Sequence, residues 1–423
     1  MARGGDETAG RAAEAAARRS YGKLVAFLAA RTRDLAAAED ALAEAFAAAL
    51  ADWPASGIPA SPEAWLVTVA KRKAIDAARR TRHGESAGDH LRLLADETAQ
   101  AGAAAGDIPD HRLALMFACA HPAIDPGIRA PLILQTILGF DAAAIASAFL
   151  VAPAAMGQRL VRAKHKIRRA GIPLRVPPRD ELAERLGAVL DAIYAAFAEG
   201  WSDPAGTDAR RRNLAEEGIW LGRLLVSLLP EEPEALGLLA LMLHAEARRS
   251  ARRDAEGGYV PLDRQNPAEW DAALTDEAET LLRRAGAQGA IGRYQLEAAV
   301  QSAHAIRRRA GRADWTAIER LYDALFALTA SPVVAINRAI ARAETGGAEA
   351  GLAALEGLAA EPRLADYQPY WAARAELLAR AGHKAAADAA YQRAIGLESD
   401  PALRRFLQEL RAELGGRSGR GEG

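Results

Sequence analysis

Apolar residues recur at helical spacing along most of the chain, and the interruptions between runs mark where helices end. The clearest run is Met156, Leu160, Ala163 and Ile167, separated by four, three and four positions, which predicts the buried stripe of a helix opened by Pro153. Ile145, Ala146 and Phe149 mark a shorter helix before it, with Asp141 as its N-cap and Leu150-Val151-Ala152 as the turn, so the two form a helix-turn-helix pattern. Nearer the start, helices are predicted over 18–32 and 34–52. Trp53-Pro54 ends the second, because proline disfavours helix at the residue before it. Gly57 and Pro59 make 55–60 a loop, and Ser61-Pro62-Glu63 starts a helix that runs from Trp65 to about Arg82. Past Pro178, helical stretches alternate with breaks at Gly200, Pro230, Gly257-Gly258, Gly286 to Gly292, Pro332, Gly346-Gly347, Pro362 and Gly382.

Composition agrees with this all-α expectation. Half of the 423 residues are hydrophobic but only 5% are aromatic, and long stretches are alanine with leucine, arginine and glutamate, which favours helices over a β-sandwich or barrel. The length suits two to four domains. One cysteine, Cys119, excludes an intramolecular disulfide framework and a multi-cysteine zinc site, and fits a reducing cytosol. No basic start leads into an unbroken apolar run, and no segment holds about 18 apolar residues without interruption, so neither a signal peptide nor a membrane span is expected and the location is expected to be cytoplasmic.

Charge changes the picture locally. The totals, 54 Lys+Arg against 55 Asp+Glu, give a net charge of −1 and no general affinity for polyanions. Yet between Asp141 and Asp180 there are eight cations and no acid, and Lys71 to Arg82 carries six cations against Asp76 alone. Between these basic modules, Gly84 to Asp107 is rich in Ala, Gly, Asp and Glu, poor in large apolar residues, and reads as a tether. Ala155, Gln158, Arg159, Arg162 and Lys166 lie opposite the buried stripe of the Pro153 helix. An apolar stripe backed by a basic and amide face suits a helix that enters a major groove, where Arg reads guanine and Gln adenine. The acids Asp34, Glu39, Asp40 and Glu44 sit in the N-terminal part of their helix, where the dipole favours them, and form a surface for a basic partner.

Taken together these segments resemble a known family. Ala38-Glu39-Asp40-Ala41-Leu42 with Glu44-Ala45-Phe46 is similar to the core-polymerase-binding helix of bacterial sigma factors. Trp65 to Ala70 followed by Ala74-Ile75-Asp76 and Arg79-Arg80 resembles the helix that reads and melts the downstream promoter element, and Phe140 to Ala163 resembles region four, which reads the upstream element. Order and spacing resemble the extracytoplasmic-function class, which keeps regions two and four. The resemblance implies polymerase contacts at Glu39, Asp40 and Glu44, downstream-element contacts at Arg72, Arg79, Arg80 and His83, and upstream-element contacts at Ala155, Gln158, Arg159, Arg162 and Lys166. Trp65 is assigned to the core rather than to base stacking. The family usually carries Gln at the position of Ala43 and Asn at that of Arg72, and Gly157 inside the reading helix costs up to about 1 kcal/mol against alanine.

The implied organisation is a flexible segment over 1–17, region two over 18–83, a linker over 84–106, region four over 107–173, a helical tetratricopeptide-like domain over 174–414 and a tail over 415–423. Tyr370 to Leu378, Gly382, Ala389-Ala390-Tyr391 and Ala394 resemble a tetratricopeptide repeat, with a weaker helix pair over 314–346. Sigma factors with such an extension exist, and the chain resembles them over nearly its whole length. Stacked repeats usually form a groove for a peptide or protein partner. His244 with Glu246 and Asp254 lacks the spacing of a metal site, the resembled family usually shows two adjacent cysteines where this chain has Cys119 and Ala120, and there is no phosphate loop or nucleophile motif. The expectation is therefore no cofactor, no metal and no catalysis. The partners are core RNA polymerase and promoter DNA. The rival is a one-component helix-turn-helix regulator with a helical sensing domain.

Overall fold

The computed structural model describes residues 2–81, 108–149, 151–201, 209–307 and 311–416. These contain eighteen α-helices and no strand. The chain divides into two compact units, Met1–Gly200 with Arg210–Gly218, and Trp201–Ala209 with Ile219–Gly423.

The first unit opens with α1 (Ala2–Thr32), α2 (Leu35–Ser56) and α3 (Pro62–Thr81) packed on one another. Two expectations are corrected here. Residues 2–17 are not a flexible segment but the first half of α1, with Ala9, Ala13 and Ala16 buried; alanine carries the highest helix propensity of any residue. Nor does Trp53-Pro54 end α2. The helix runs through Pro54 to a cap at Gly57, whose N–H reaches the Trp53 carbonyl, because a proline in the last turn costs a single hydrogen bond there while Trp53 gains full burial. Asp34 is the N-cap of α2, its carboxylate accepting from the Ala37 N–H at 3.2 Å.

The same unit continues with α4 (Arg112–Cys119), α5 (Pro126–Leu138), α6 (Ala142–Ala148), α7 (Pro153–Arg169) and α8 (Arg179–Trp201). Asp141 accepts from the Ala144 N–H at 2.7 Å and starts α6, and Pro153 occupies the first turn of α7. The turn residue Leu150 and the 84–106 linker lie outside the described residues. α4 and α5 pack on α1. The closest approach is at Gly22 of α1, where an added Cβ would sit 2.2 Å from the Ile137 carbonyl oxygen of α5, so only glycine admits this spacing. The expected domain boundary at 174 falls short of α8, which belongs to the first unit; Arg185 of α8 donates to the Phe117 carbonyl of α4 at 3.3 Å.

In the second unit, beyond α9 (Ala209–Leu228), successive helices pack on their neighbours: α10 (Pro233–Ala247) on α11 (Ala272–Ala287) and α12 (Arg293–Ala305), then α13 (Trp315–Thr329), α14 (Pro332–Gly346), α15 (Ala348–Glu356), α16 (Gln368–Arg380), α17 (Lys384–Leu397) and α18 (Pro401–Gly416). Gly382, at φ +84°, makes the turn between α16 and α17. Ala375, Ala387, Ala390 and Ala394 are buried in this pair, beside Tyr370 and Tyr391. α18 reaches Gly416, past residue 415 where a tail is expected, and 417–423 lie outside the described residues. Between α10 and α11 the chain is irregular and fastened by side chains. Arg307 donates to the carbonyls of Leu262 and Asp263 at 2.6 and 2.8 Å, and the Arg252 guanidinium stacks 3.6 Å from the Trp201 ring.

Candidate nucleic-acid interface

α7 is the most strongly amphipathic helix of the first unit. Its buried residues are Met156, Leu160, Ala163 and Ile167, the stripe that the spacing predicts. Ala155, Gln158, Arg162 and Lys166 are exposed on the opposite side. Arg159 is half-buried, and its guanidinium donates to the Gly127 carbonyl at 3.1 Å, so this side chain ties α7 to the start of α5. Arg159 and Arg162 line, with Ile124, Ile128 and Lys166, a cleft of about 210 Å³. A broader groove beside it, about 690 Å³, is walled by Val161, Arg162, His165, Lys166 and Arg169, with the exposed Val161 side chain among Arg and Lys cations.

The basic face of α3 is smaller than its sequence suggests. Lys71 is buried with its ammonium 5.4 Å above the Phe27 ring, and Lys73 pairs with Glu44 at 3.4 Å. Arg72 is exposed. Arg79 and Arg80 lie in the last turns of α3, but their side chains, like all of His83, fall outside the described residues. Trp65 is half-buried, its ring edge-on to the buried Trp53 ring at 5.5 Å, beside the 57–61 loop.

On α2 the three expected polymerase contacts separate. Asp40 and Glu44 are one turn apart and exposed. Glu39 turns the other way, and its carboxylate meets the Lys164 ammonium of α7, both side chains close to nine-tenths buried. A second pair, Arg168 to Asp34 at 2.8 Å, joins the same two helices. Burial raises the Glu39 carboxyl above the ordinary range, and Lys164 pulls it back in part. Tyr21, packed near Glu39 and Asp40, is raised by burial and by those acids. Periodicity missed this arrangement; the only hint in the sequence is the opposite sign of the two helices.

Other singled-out residues are structural. Cys119 ends α4 fully buried, its thiol 3.5 Å from the Thr136 hydroxyl and pushed up to about 12 by burial. His121 accepts the Ala123 N–H on Nδ1. His244 is buried in α10, 3.5 Å from Glu279, and no group of side chains among the described residues has the make-up of a metal site. No described helix is long and apolar enough to cross a membrane.

Comparison with known proteins agrees with the geometry where the two overlap. Residues 17–84, from the second half of α1 through α3, match sigma-70 region 2. Residues 185–286, from α8 to α11, match a family of unknown function (DUF6596). An uncharacterized protein of Rhizobium meliloti is 38% identical over 390 residues, 90% of this chain and 92% of that one. No solved structure matches. The chain belongs to one family with the Rhizobium protein over almost its full length, and its region 2 match supports a sigma-70 family factor.

Proposed function

We propose that this sigma-70 family factor is an alternative sigma factor of the extracytoplasmic-function type, which binds core RNA polymerase, recognises a bipartite promoter and starts transcription without catalysing a reaction itself. One observation carries the reading: a region 2 match over α1–α3 is followed in the same compact unit by a helix-turn-helix whose second helix exposes Gln158, Arg162 and Lys166. Under this reading α7 reads the upstream element in the major groove, with flanking cations on phosphates. Arg72 and the end of α3, beside the Trp53–Trp65 pair and its loop, take the downstream element, where opening needs a basic surface next to a place for an unstacked base. Asp40 and Glu44 dock on a basic surface of the polymerase. The second unit is a tetratricopeptide-like domain that modulates this activity through a peptide or protein partner, and the chain works in the cytoplasm.

Run-off transcription with the full chain and purified core polymerase tests the reading. The expected result is promoter-dependent transcript from the chain plus core and none from core alone. Tight operator binding without polymerase, and no transcript with it, would instead identify a one-component regulator.

A further inference from the structure

In the second unit, the irregular segment after α10 folds into a small preformed turn. Gly257, at φ +79°, makes the turn, an antiparallel bridge between Arg253 and Tyr259 closes it, and the Asp254 carboxylate accepts from the N–H groups of Glu256 and Gly258 at 3.1 and 2.5 Å. Residues opposite one another in such a bridge carry their side chains on one face, and here both reach α18. The Arg253 guanidinium pairs with Asp400, 147 positions away, and the Tyr259 ring meets the Phe406 ring edge-on at 5.4 Å. Five positions further on, the Arg264 guanidinium lies 5.5 Å from the same Phe406 ring.

None of these contacts enters the core beneath. The apolar cluster of α14–α18 includes Tyr370, Leu377, Tyr391 and Leu407 but no residue of 253–264, whereas Leu262 packs into a separate small cluster with Ala251, Trp270 and Ala305. The turn can therefore leave α18 without opening that core, and it would bare an acid, Asp400, beside an aromatic ring, Phe406. Nor does the segment fill the face. A cleft of about 180 Å³ lies beside it, with Glu376 of α16 and Glu413 of α18 in its wall. Burial raises the Glu376 carboxyl above the ordinary range, and Arg380, which pulls it back in part, is paired with Glu344.

Resting on the partner role proposed for the second unit, we infer that this face of α16–α18 is a binding site for a peptide that presents an arginine beside an aromatic side chain, and that the turn at 253–259 occupies it as a tethered stand-in. The stand-in shows what the site accepts: a guanidinium on a carboxylate and a ring edge on a ring, both of which an incoming peptide can reproduce. The tethered pairing is also imperfect. Arg253 Nε is buried and donates no hydrogen bond, and an ion pair withdrawn from water gains little while a donor is left over. An incoming peptide with a second cation has Glu376 to meet as well. The tether holds its turn at a high effective concentration, so weak peptides are excluded and only a better ligand displaces it.

The test uses the full chain and a fluorescein-labelled synthetic peptide with the chain's own sequence from Arg252 to Gln265, read by anisotropy. The unaltered chain should bind this peptide weakly, because its site is filled. Arg253→Ala with Tyr259→Ala frees the site without touching α16–α18, and should tighten the peptide by about tenfold or more. Adding Asp400→Asn to that variant should cancel the gain. Asp400 also accepts from the Ala402 N–H at 2.9 Å at the start of α18, and asparagine keeps that cap, so the loss reports the charge. Adding Phe406→Ala instead should cancel it by a second route. Amide exchange gives an independent measure: in the double variant the amides of 253–260 should lose protection while those of α16–α18 keep theirs. No gain in peptide binding overturns the inference. So does a gain that survives both Asp400→Asn and Phe406→Ala, or loss of protection in α16–α18 together with the turn, which would make the turn part of that core. None of these readouts needs polymerase or DNA. If run-off transcription fails while the peptide binds as expected, the proposed function falls and the site stands; if the peptide results fail while transcript appears, the reverse holds.

Discussion

α7 and the α16–α17 pair are helices of similar length written in opposite patterns. α7 buries four positions in one narrow stripe and leaves cations on much of the remainder. α16 buries Tyr370, Ala373, Ala375, Leu377 and Leu378, α17 buries Ala387, Ala390, Tyr391 and Ala394, and exposed charges at their edges are answered within the same unit, as in Arg393 with Asp366 at 2.6 Å. A narrow stripe anchors a helix and keeps a face free for a partner. A wide one commits the helix to its neighbours. An exposed basic face is therefore readable at α7, whereas at α16–α17 the residues disclose packing and little else.

The largest effects should come where both patterns have the same need, the buried leucine. Leu160→Ala and Leu377→Ala should each cost about 2–5 kcal/mol in calorimetric or denaturant unfolding. The comparison sharpens in the DNA assay: Leu160→Ala should weaken promoter binding and Leu377→Ala should leave it intact. A loss under about 1 kcal/mol at Leu377 would mean that the α16–α17 core is loose and the contrast false.

Next in size is a pH effect in the second unit. His244 and His304 are buried, and burial lowers each to about 4. With an unfolded value near 6.5, the unfolded chain binds the extra protons between about pH 6.5 and 4, so stability is complete above that window and falls through it on acidification. The loss reaches roughly 3 kcal/mol per histidine at the lower end. Amide exchange should show α10 and α12 losing protection from pH 7 to pH 4; equal protection at both would remove the histidines from the account.

Smaller, and on the other side of the comparison, Arg162→Ala should weaken upstream-element binding by about 1–3 kcal/mol while leaving unfolding within about 0.5 kcal/mol. An unchanged footprint would show that the exposed side of α7 does not read DNA. Smallest of all, Arg393→Ala breaks a surface ion pair, both partners at least half exposed, and should change stability by less than about 1 kcal/mol. A larger loss in thermal melts would mean that surface charge, not the alanine and tyrosine core, holds the pair together.

Much of this was legible in sequence because it is local. The stripe at Met156, Leu160, Ala163 and Ile167, the Asp141 cap, the proline that opens α7 and the glycine that separates α16 from α17 all follow from spacing and backbone preference within one or two turns. What was not legible is long-range. Helical periodicity says that Glu39 lies beside Asp40, not that it turns toward Lys164, and it gave three acids one role where the fold gives Glu39 a different neighbour from Asp40 and Glu44. The helical state of residues 2–17 was missed because polar and small residues there carry no strong apolar period, although alanine propensity alone suffices. The place of α8 in the first unit depends on contacts such as that of Arg185 with Phe117, which a proline-containing junction before α8 does not advertise.

Cys119 has a use beyond packing. Its thiol is raised to about 12, so at neutral pH only on the order of one molecule in 100,000 holds it as the reactive thiolate, and the sulfur is fully buried as well. An alkylating reagent must therefore wait for the helices around α4 to part. Because no other thiol competes, the labelling rate in the unaltered chain is a clock for sub-global opening of the first unit alone, run at native conditions and read by mass.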